Sequence, residues 1–502
     1  MIRSDNFLNF SSANRSRQEA ALPLSGHHHP GLGWVAPLAE VNEMLSTSHE
    51  AILVGASDQY RLGELLMPHV LSRLVNFSRY RCGGLVNSEL SEVGAHPVRN
   101  YGECILEMKS SDLRVIHFGG SQTDMDLVEG YRAAAKGNEA ERFESLSEIS
   151  SREDLVRYVR RRTGQRGSLA YVVSPEGEFY GAGVSFHAVS LPPEATLSIE
   201  NRTDLLRTMR QAQFVGVRDE RSANFLASEG ITCEKMPCAL SVLPQVCARQ
   251  LREFRDCESL ENIRHRFPNG WIAVEVGEVR PEDFDRACEA LREVSDQNNL
   301  GLVFFESTQE SSHGKRLSLR KWVEAFPEWQ AAAFGSLHIW EIASFLLHSR
   351  LYCGSCLSAR VICMSGGIAR INFAVGNGET QSYCELWEHD DVPIEFDENE
   401  DWAVALQEAL AVDLSALQQH AAWLHLRYRE SLNRFCEETG MTSRHHAGTP
   451  GIAHTQSIES IHHLHDDWLK DSESMNFFKR LNRRMSAKRG THSHPVPVNR
   501  SA

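Results

Sequence analysis

The feature that most constrains this chain is an alternation of short apolar runs with helix-periodic segments. Residues 51–75, AILVGASDQYRLGELLMPHVLSRLV, set the pattern. Four apolar residues make a buried strand, Gly55 and Ser57 make a loop, and Leu65, Leu66, Val70, Leu71 and Leu74 then recur at helical spacing. Further strands are predicted in 113–120, 169–175, 178–186 and 213–217, with helical patterns between several of them. A second series follows: strands in 271–277, 300–307, 350–355 and 369–375, helices over 281–297 and 339–349, and a strongly helical segment at 401–438 that closes the fold. Alternating strands and helices specify parallel sheets with crossover helices.

At 502 residues the chain exceeds one ordinary core and suggests two domains plus tails. The expected organisation is a flexible, polar arm over 1–45, a first α/β domain over 46–245, a second with its closing helices over 246–440, and a polar, basic tail over 441–502. The charged, weakly patterned stretch 246–266 is a candidate linker. Such a pair of α/β domains makes a cleft, and ligands of these sheets sit outside the carboxyl ends of the strands. The loops Gly55–Gly63, Gly119–Gly120, Arg218–Ser222 and Gly354–Ser358 each follow a predicted strand and can point at one cleft.

Charge and cysteine usage narrow the function. The balance of 52 basic against 67 acidic residues gives −15, which argues against a nucleic-acid partner, because phosphates need a basic face. Twelve cysteines without regular spacing fit reduced thiols in a cytosolic protein. No apolar run approaches the roughly 20 residues needed to span a bilayer, and no apolar stretch follows the first arginines as a secretory signal would. A cytoplasmic location is therefore expected. Residues 476–502 carry seven Lys and Arg and no acid, and read either as a plain solvated tail or as a segment for peripheral contact with acidic lipid.

The stretch FVGVRDERSANFLASEGI (214–231) ends an apolar run abruptly in Arg218-Asp219. The strand delivers a cation to the cleft, and Asp219 is expected to cap the helix that buries Ala223, Leu226 and Ala227. This block resembles the polysaccharide pyruvyl transferase family, as do three others in order: the first Gly loop in 51–75, HFGGSQTD (117–124), and IWEIASFLLHSRLYCGSCLSARVICMSGG (339–367). The resemblance runs from about 51 to about 375. It implies two facing Rossmann-like domains of the GT-B type. It also implies transfer of the enolpyruvyl unit of phosphoenolpyruvate to a sugar acceptor in exopolysaccharide biosynthesis. That scheme requires no metal or redox cofactor.

The donor in such a reaction carries a carboxylate and a phosphate, so guanidinium clamps are wanted. A carboxylate or His must take the proton of the attacking hydroxyl. The resemblance makes Arg218 the donor clamp, against the plainer reading of a surface pair with Asp219 or Glu220. Glu64 stands where the family has the Asp of its first Gly loop. It can serve as acceptor base or sit as an anion near a helix N-terminus. Asp58 is a weaker substitute, Gly55, Gly63, Gly119 and Gly120 allow backbone close to an anion, and Ser222 lies in the first turn after Asp219.

Gly354-Ser355-Cys356-Leu357-Ser358 aligns with the family's Gly-x-Arg/Ser-Leu-His, so Ser358 replaces its His and Cys356 its Arg or Ser. Serine is no general acid near neutral pH. His338, His348, Arg350, Arg360 or Arg370 would have to supply the charge. The departure leaves two alternatives open: a GT-B-like glycosyltransferase using a nucleotide sugar, or a non-catalytic descendant that binds a ligand. His117 and His187 read as structural. Cys353-x-x-Cys356 and the histidines of 461–468 are partial metal motifs without a full ligand set.

Overall fold

The computed structural model describes residues 49–444, apart from 109–111, 121, 122, 124, 178, 194, 195, 278, 280, 309–317, 374–377 and 398. The arm over 1–45, the basic tail and the histidines of 461–468 lie outside the described residues.

The predicted α/β architecture of two parallel sheets is present. The first sheet has seven strands: β1 (His49–Val54), β2 (Phe77–Gly84), β3 (Val98–Asn100), β4 (Leu113–Phe118), β5 (Gly183–Val189), β6 (Phe214–Val217) and β7 (Glu234–Lys235). Their order is β3-β2-β1-β4-β5-β6-β7, and every neighbouring pair is parallel. The second sheet contains β8 (Trp271–Glu275), β9 (Gly301–Phe305), β10 (Ala331–Ala333), β11 (Leu351–Gly354) and β12 (Ala369–Asn372), ordered β10-β9-β8-β11-β12 and again all parallel. Strand order reverses between β1 and β4 in the first sheet and between β8 and β11 in the second. Those two points open the crevices in which doubly wound sheets bind ligands.

The sheets are buried on both faces. One apolar core covers the outer face of the first sheet, with Ile52, Val115, Val184 and Val215, and another covers the second, with Ile272, Val274, Leu302 and Ile371. A third core joins the halves, packing Leu66, Val70 and Leu71 with Ile339, Ile342 and Ile362. The helix Leu62–Leu74 lies in this shared core and buries every residue except Arg73. This is why its sequence is apolar almost all round. Pro68 inside that helix withdraws the N–H that the Glu64 carbonyl would accept. Ser57 Oγ donates to the orphaned carbonyl instead, at 2.9 Å, so the backbone at Glu64 is fastened to the loop after β1.

Sequence and structure differ in places with identifiable reasons. Residues 169–175 form no strand, although 169–173 are buried: Ala170 N–H bonds to Met125 O and Val173 N–H to His117 Nε2, so side chains and loops replace a ladder. The candidate linker region instead contains the helices Ala248–Arg255 and Glu258–Arg266. The segment 401–438 is two helices, Trp402–Ala411 and Leu414–Thr439, because Asp413 caps the second. This last helix returns to the first sheet, where Phe435 packs on Phe214 and Arg114 Nε donates to Thr439 O. β2, β3, β7 and β10 were not foreseen. The last three are too short to carry a pattern, and β2 (FSRYRCGG) mixes charge into its apolar positions.

Candidate functional site

The centre of the site is Glu64, in the first turn of the helix that follows β1. Its Oε1 accepts the Gly120 N–H at 3.1 Å, just beyond β4, so the side chain bridges the switch point of the first sheet. Oε2 is buried and makes no hydrogen bond. Burial pushes the Glu64 carboxyl up to about 7, against the pull of the Gly120 N–H, Arg218 and Arg61. The glycines around it are required by crowding. A Cβ on Gly119, which has φ +100°, would run into both carboxylate oxygens, and one on Gly55 would come within 3.0 Å of Oε2.

Arg218 follows β6, and its N–H extends that strand's pairing to Val189 O at 3.0 Å. The side chain is 5% exposed. Its guanidinium lies against Gly120 and pairs with Glu379, the first residue of the helix Glu379–Trp387 from the second half. Trp387 Nε1 donates to the Arg218 carbonyl at 2.8 Å, which ties the same helix to the strand end. Arg218 Nε has no partner. Cys238 lies beside it, and burial keeps that thiol above its ordinary range although Arg218 stands close.

The acid after Arg218 does what its position implies. Asp219 Oδ1 accepts the Ser222 N–H and hydroxyl at 2.8 Å each, capping the helix Glu220–Ser228, and Oδ2 accepts the Ser190 hydroxyl at 2.6 Å. Ser222 Oγ in turn accepts the Leu191 N–H at 2.8 Å, so its hydroxyl is spent on the scaffold. Asp58 is also fully engaged, accepting from Leu85 N and Val86 N at 2.7 and 3.2 Å and from Tyr171 OH at 2.7 Å. It staples the loop after β1 to the end of β2.

The final block meets the start of the helix Leu62–Leu74. Ser358 sits in the first turn of the helix Leu357–Gly366, and a Cβ on Gly63 would collide with its hydroxyl. Gly354 and Ser355 surround a residue the sequence reading missed, Glu275 at the end of β8. Its Oε2 accepts Ser355 N–H at 3.0 Å and Ser355 Oγ–H at 2.8 Å, and Oε1 accepts Ser307 Oγ–H at 2.7 Å. Ser307 also links the halves, since its carbonyl accepts the Leu62 N–H at 2.9 Å. The signal for Glu275 was present: it is the one acid in the otherwise apolar WIAVEVG. Glu379 had no such signal.

Three of the five basic residues near the final block are otherwise engaged, while Arg350 is exposed and the buried His338 Nδ1 has no hydrogen bond. Arg360 and Arg370 are fully buried and share Glu388, at 2.8–3.0 Å for Arg360 and 2.9 Å for Arg370 Nε. His348 Nδ1 bonds to Ser344 O at 2.7 Å. His117 is buried as a neutral ring. Val173 N–H donates to its Nε2, so Nδ1 carries the proton given to Ser185 O, and burial brings its pKa down to about 4. His187 packs on Phe435 and reaches Tyr428 OH at 3.3 Å. Among the described residues, no cluster of three or more His, Cys, Asp and Glu is arranged for a metal ion, and no helix is long and apolar enough to cross a membrane.

No family model and no curated protein matches the chain. Among solved structures it is similar to the S. aureus MnaA–UDP co-structure, with 10% identity, 78% of this chain and 97% of that one covered, and a TM-score of 0.44. It is similar to UDP-GlcNAc 2-epimerase of Methanocaldococcus jannaschii in complex with UDP-GlcNAc and UDP, with 10% identity, coverage of 75% and 99%, and a TM-score of 0.40. A third is α,α-trehalose 6-phosphate synthase of Burkholderia multivorans, with 10% identity, coverage of 68% and 72%, and a TM-score of 0.40.

Proposed function

We propose that this chain is a group-transfer enzyme acting on a sugar hydroxyl, with Glu64 receiving the proton and Arg218 holding the anionic donor. The observation that carries this reading is the Glu64 carboxyl itself. It is buried at a switch point, bonded through one oxygen only, raised to about 7, and a neighbour of a buried guanidinium. A general base works best when its pKa lies near the working pH. As the acceptor oxygen bonds to the donor carbon, its proton passes to Glu64 Oε2. The bond from donor to phosphate oxygen breaks, and the phosphate leaves with its electron pair.

Two donor classes fit an anion-holding arginine: phosphoenolpyruvate, as the family resemblance implies, and a nucleotide sugar. With phosphoenolpyruvate the methylene carbon takes up a proton as the first acceptor oxygen adds. After phosphate is expelled, a second acceptor hydroxyl bonds to the same carbon to close the ketal. Of the two hydroxyl protons released, one balances the proton taken up by carbon and the other leaves with phosphate. A non-catalytic binding role is favoured by one specific contact, the Arg218–Glu379 pair, which places an internal carboxylate on the clamp.

The test is a turnover screen. Phosphoenolpyruvate and nucleotide sugars are supplied with a panel of saccharides, and release of phosphate or nucleotide is followed. Turnover should fall at least about a hundredfold in Glu64→Gln, with donor affinity unchanged, and donor affinity should collapse in Arg218→Ala. Full turnover in either variant removes that residue from the mechanism. Clear ligand binding without turnover across the panel favours the binding role.

A further inference from the structure

We propose that the open edge of the second sheet carries a saccharide-binding cleft, sharing no residue with the Glu64 site, in which Glu341 and the Ala333 peptide groups bond to a sugar's hydroxyls. The inference goes beyond the transferase reading and does not depend on it.

β10 is an edge strand, paired only with β9. Leu302 N–H bonds to Gln330 O at 2.9 Å and Phe334 N–H to Phe304 O at 2.8 Å. In a parallel ladder of that register the N–H and C=O of Ala332 face β9, and those of Ala331 and Ala333 face outward. Proteins normally cover or close such an edge. At Ala331 it is closed: its N–H bonds to Pro327 O at 3.3 Å, and its carbonyl accepts from Arg266 Nη2 at 2.8 Å. Ala333 is exposed and has no such partner among the described residues. It lines a cleft of about 490 Å³, open to solvent, between β10 and the helix Glu258–Arg266. That helix lends Ser259, Asn262, Ile263 and Arg266, whose spacing is that of one helical face. Ser336 and Glu341 also line the cleft, Glu341 from the first turn of the helix Ile339–Leu347. A Cβ on Gly335, between them and Ala333, would meet nothing within 4 Å, so the strand's exit leaves the space unfilled.

The volume falls within the roughly 300–1,000 Å³ of small-ligand sites. Its polar groups mix donors with acceptors: the Ala333 N–H and carbonyl, the Asn262 amide, and the Ser259 and Ser336 hydroxyls. A hydroxyl-rich ligand answers such a mixture, because every hydroxyl both donates and accepts. Glu341 selects further. Its Oε2 is buried and makes no hydrogen bond. A carboxylate oxygen only accepts, and leaving it unmet costs on the order of 1–3 kcal/mol. A sugar hydroxyl would complete it with a charge-assisted bond. An anion would instead meet a like charge, and the cation of the cleft, Arg266, spends Nη2 on the Glu328 and Ala331 carbonyls. Between those two residues in the chain stands Trp329, 70% exposed, an apolar ring of the kind that packs on the C–H face of a sugar.

The experiment titrates maltose, cellobiose, lactose and chitobiose into the full chain, with putrescine and inorganic phosphate as controls. Saturation-transfer NMR reads affinity, and amide hydrogen exchange over residues 331–336 reads location. At least one disaccharide should bind at about 1 mM or tighter and slow exchange at Ala333. Glu341→Gln keeps the shape but removes the charge, and should weaken that binding about tenfold. Asn262→Ala, on an exposed helix position, should weaken it several-fold and decides the matter if Glu341→Gln fails to fold. The proposal is overturned if no disaccharide protects 331–336, or if both variants bind as the wild type does. Protection by putrescine or phosphate in place of the sugars overturns it too. The transferase reading is tested separately, because protection of 331–336 should persist in Glu64→Gln. Turnover without that protection would sink this inference and keep the transferase reading. Protection with no turnover of any donor would do the reverse.

Discussion

Glu64→Gln offers a quantitative test, because glutamine keeps the shape and the Gly120 bond but cannot ionise. In the folded protein the Glu64 carboxyl is raised from the ordinary 4.5 to about 7. A raised acid binds its proton more tightly folded than unfolded, so its contribution to stability is complete below pH 4.5 and is lost as pH rises through 7. A displacement of that size corresponds to about 3 kcal/mol. Wild-type stability should therefore fall relative to Glu64→Gln by up to about 3 kcal/mol between pH 4.5 and 8, and level off above that. Urea denaturation at matched pH values gives both curves. Glu395, which burial also raises to about 7, is present in both proteins and drops out of the difference. The same group should set the catalytic profile, with kcat/KM rising with pH to a plateau just above 7. Parallel stability curves, together with a pH–rate profile that shows no inflection near 7, would refute the assignment of Glu64 as a buried, high-pKa acid.

Other perturbations read different parts of the scaffold. Gly119→Ala should cost about 1–2 kcal/mol for its left-handed backbone alone and displace the Glu64 carboxylate, so activity should drop more than thermal stability does. Asp219→Ala removes a cap and the Ser190 bond and should lower stability by about 2 kcal/mol in chemical denaturation. Glu388→Gln leaves Arg360 and Arg370 buried beside a neutral amide and should cost about 3–5 kcal/mol. The Glu388 carboxyl is held down to about 2, the two arginines overcoming its burial. Its contribution is full above pH 4.5 and disappears as pH falls through 2, so the variant's deficit should shrink in acid.

The sheets were legible because their strands are short, apolar and followed by turn residues, as in AILVGAS and WIAVEVG, where period and punctuation agree. The C-terminal helix could be read as a helix, but not where it goes: its return to β5 and β6 depends on Tyr428 and Phe435 meeting His187 and Phe214. Of the candidate site, Glu64, Gly119, Gly120 and Arg218 were selected by their places after strands, and the structure brings these four together. Glu379 was missed because its meaning comes from a residue 161 positions away, and no local pattern records such a pairing. Asp58 and Ser222 show the converse. Their positions after strands look like binding positions, while their partners are scaffold amides and hydroxyls.

That contrast supplies a rule for sorting the buried charges of this protein. Arg360 uses Nε and both terminal nitrogens, on Glu388, Asn372 Oδ1 and the carbonyls of Pro393 and Ile394. A guanidinium so fully used has nothing to offer a ligand, and its value lies in holding β12 to the helix beside it. Arg218 leaves Nε without a partner, and Glu64 leaves Oε2 without one, both away from water. Each unmade bond costs free energy, on the order of 1–3 kcal/mol, and a purely structural carboxylate could have been satisfied by hydroxyls, as Glu275 is by Ser307 and Ser355. Such a cost persists where something else completes the bonds. A bound hydroxyl at Glu64 Oε2 and a donor oxygen at Arg218 Nε would complete both, and that is the arrangement the proposed transfer calls for.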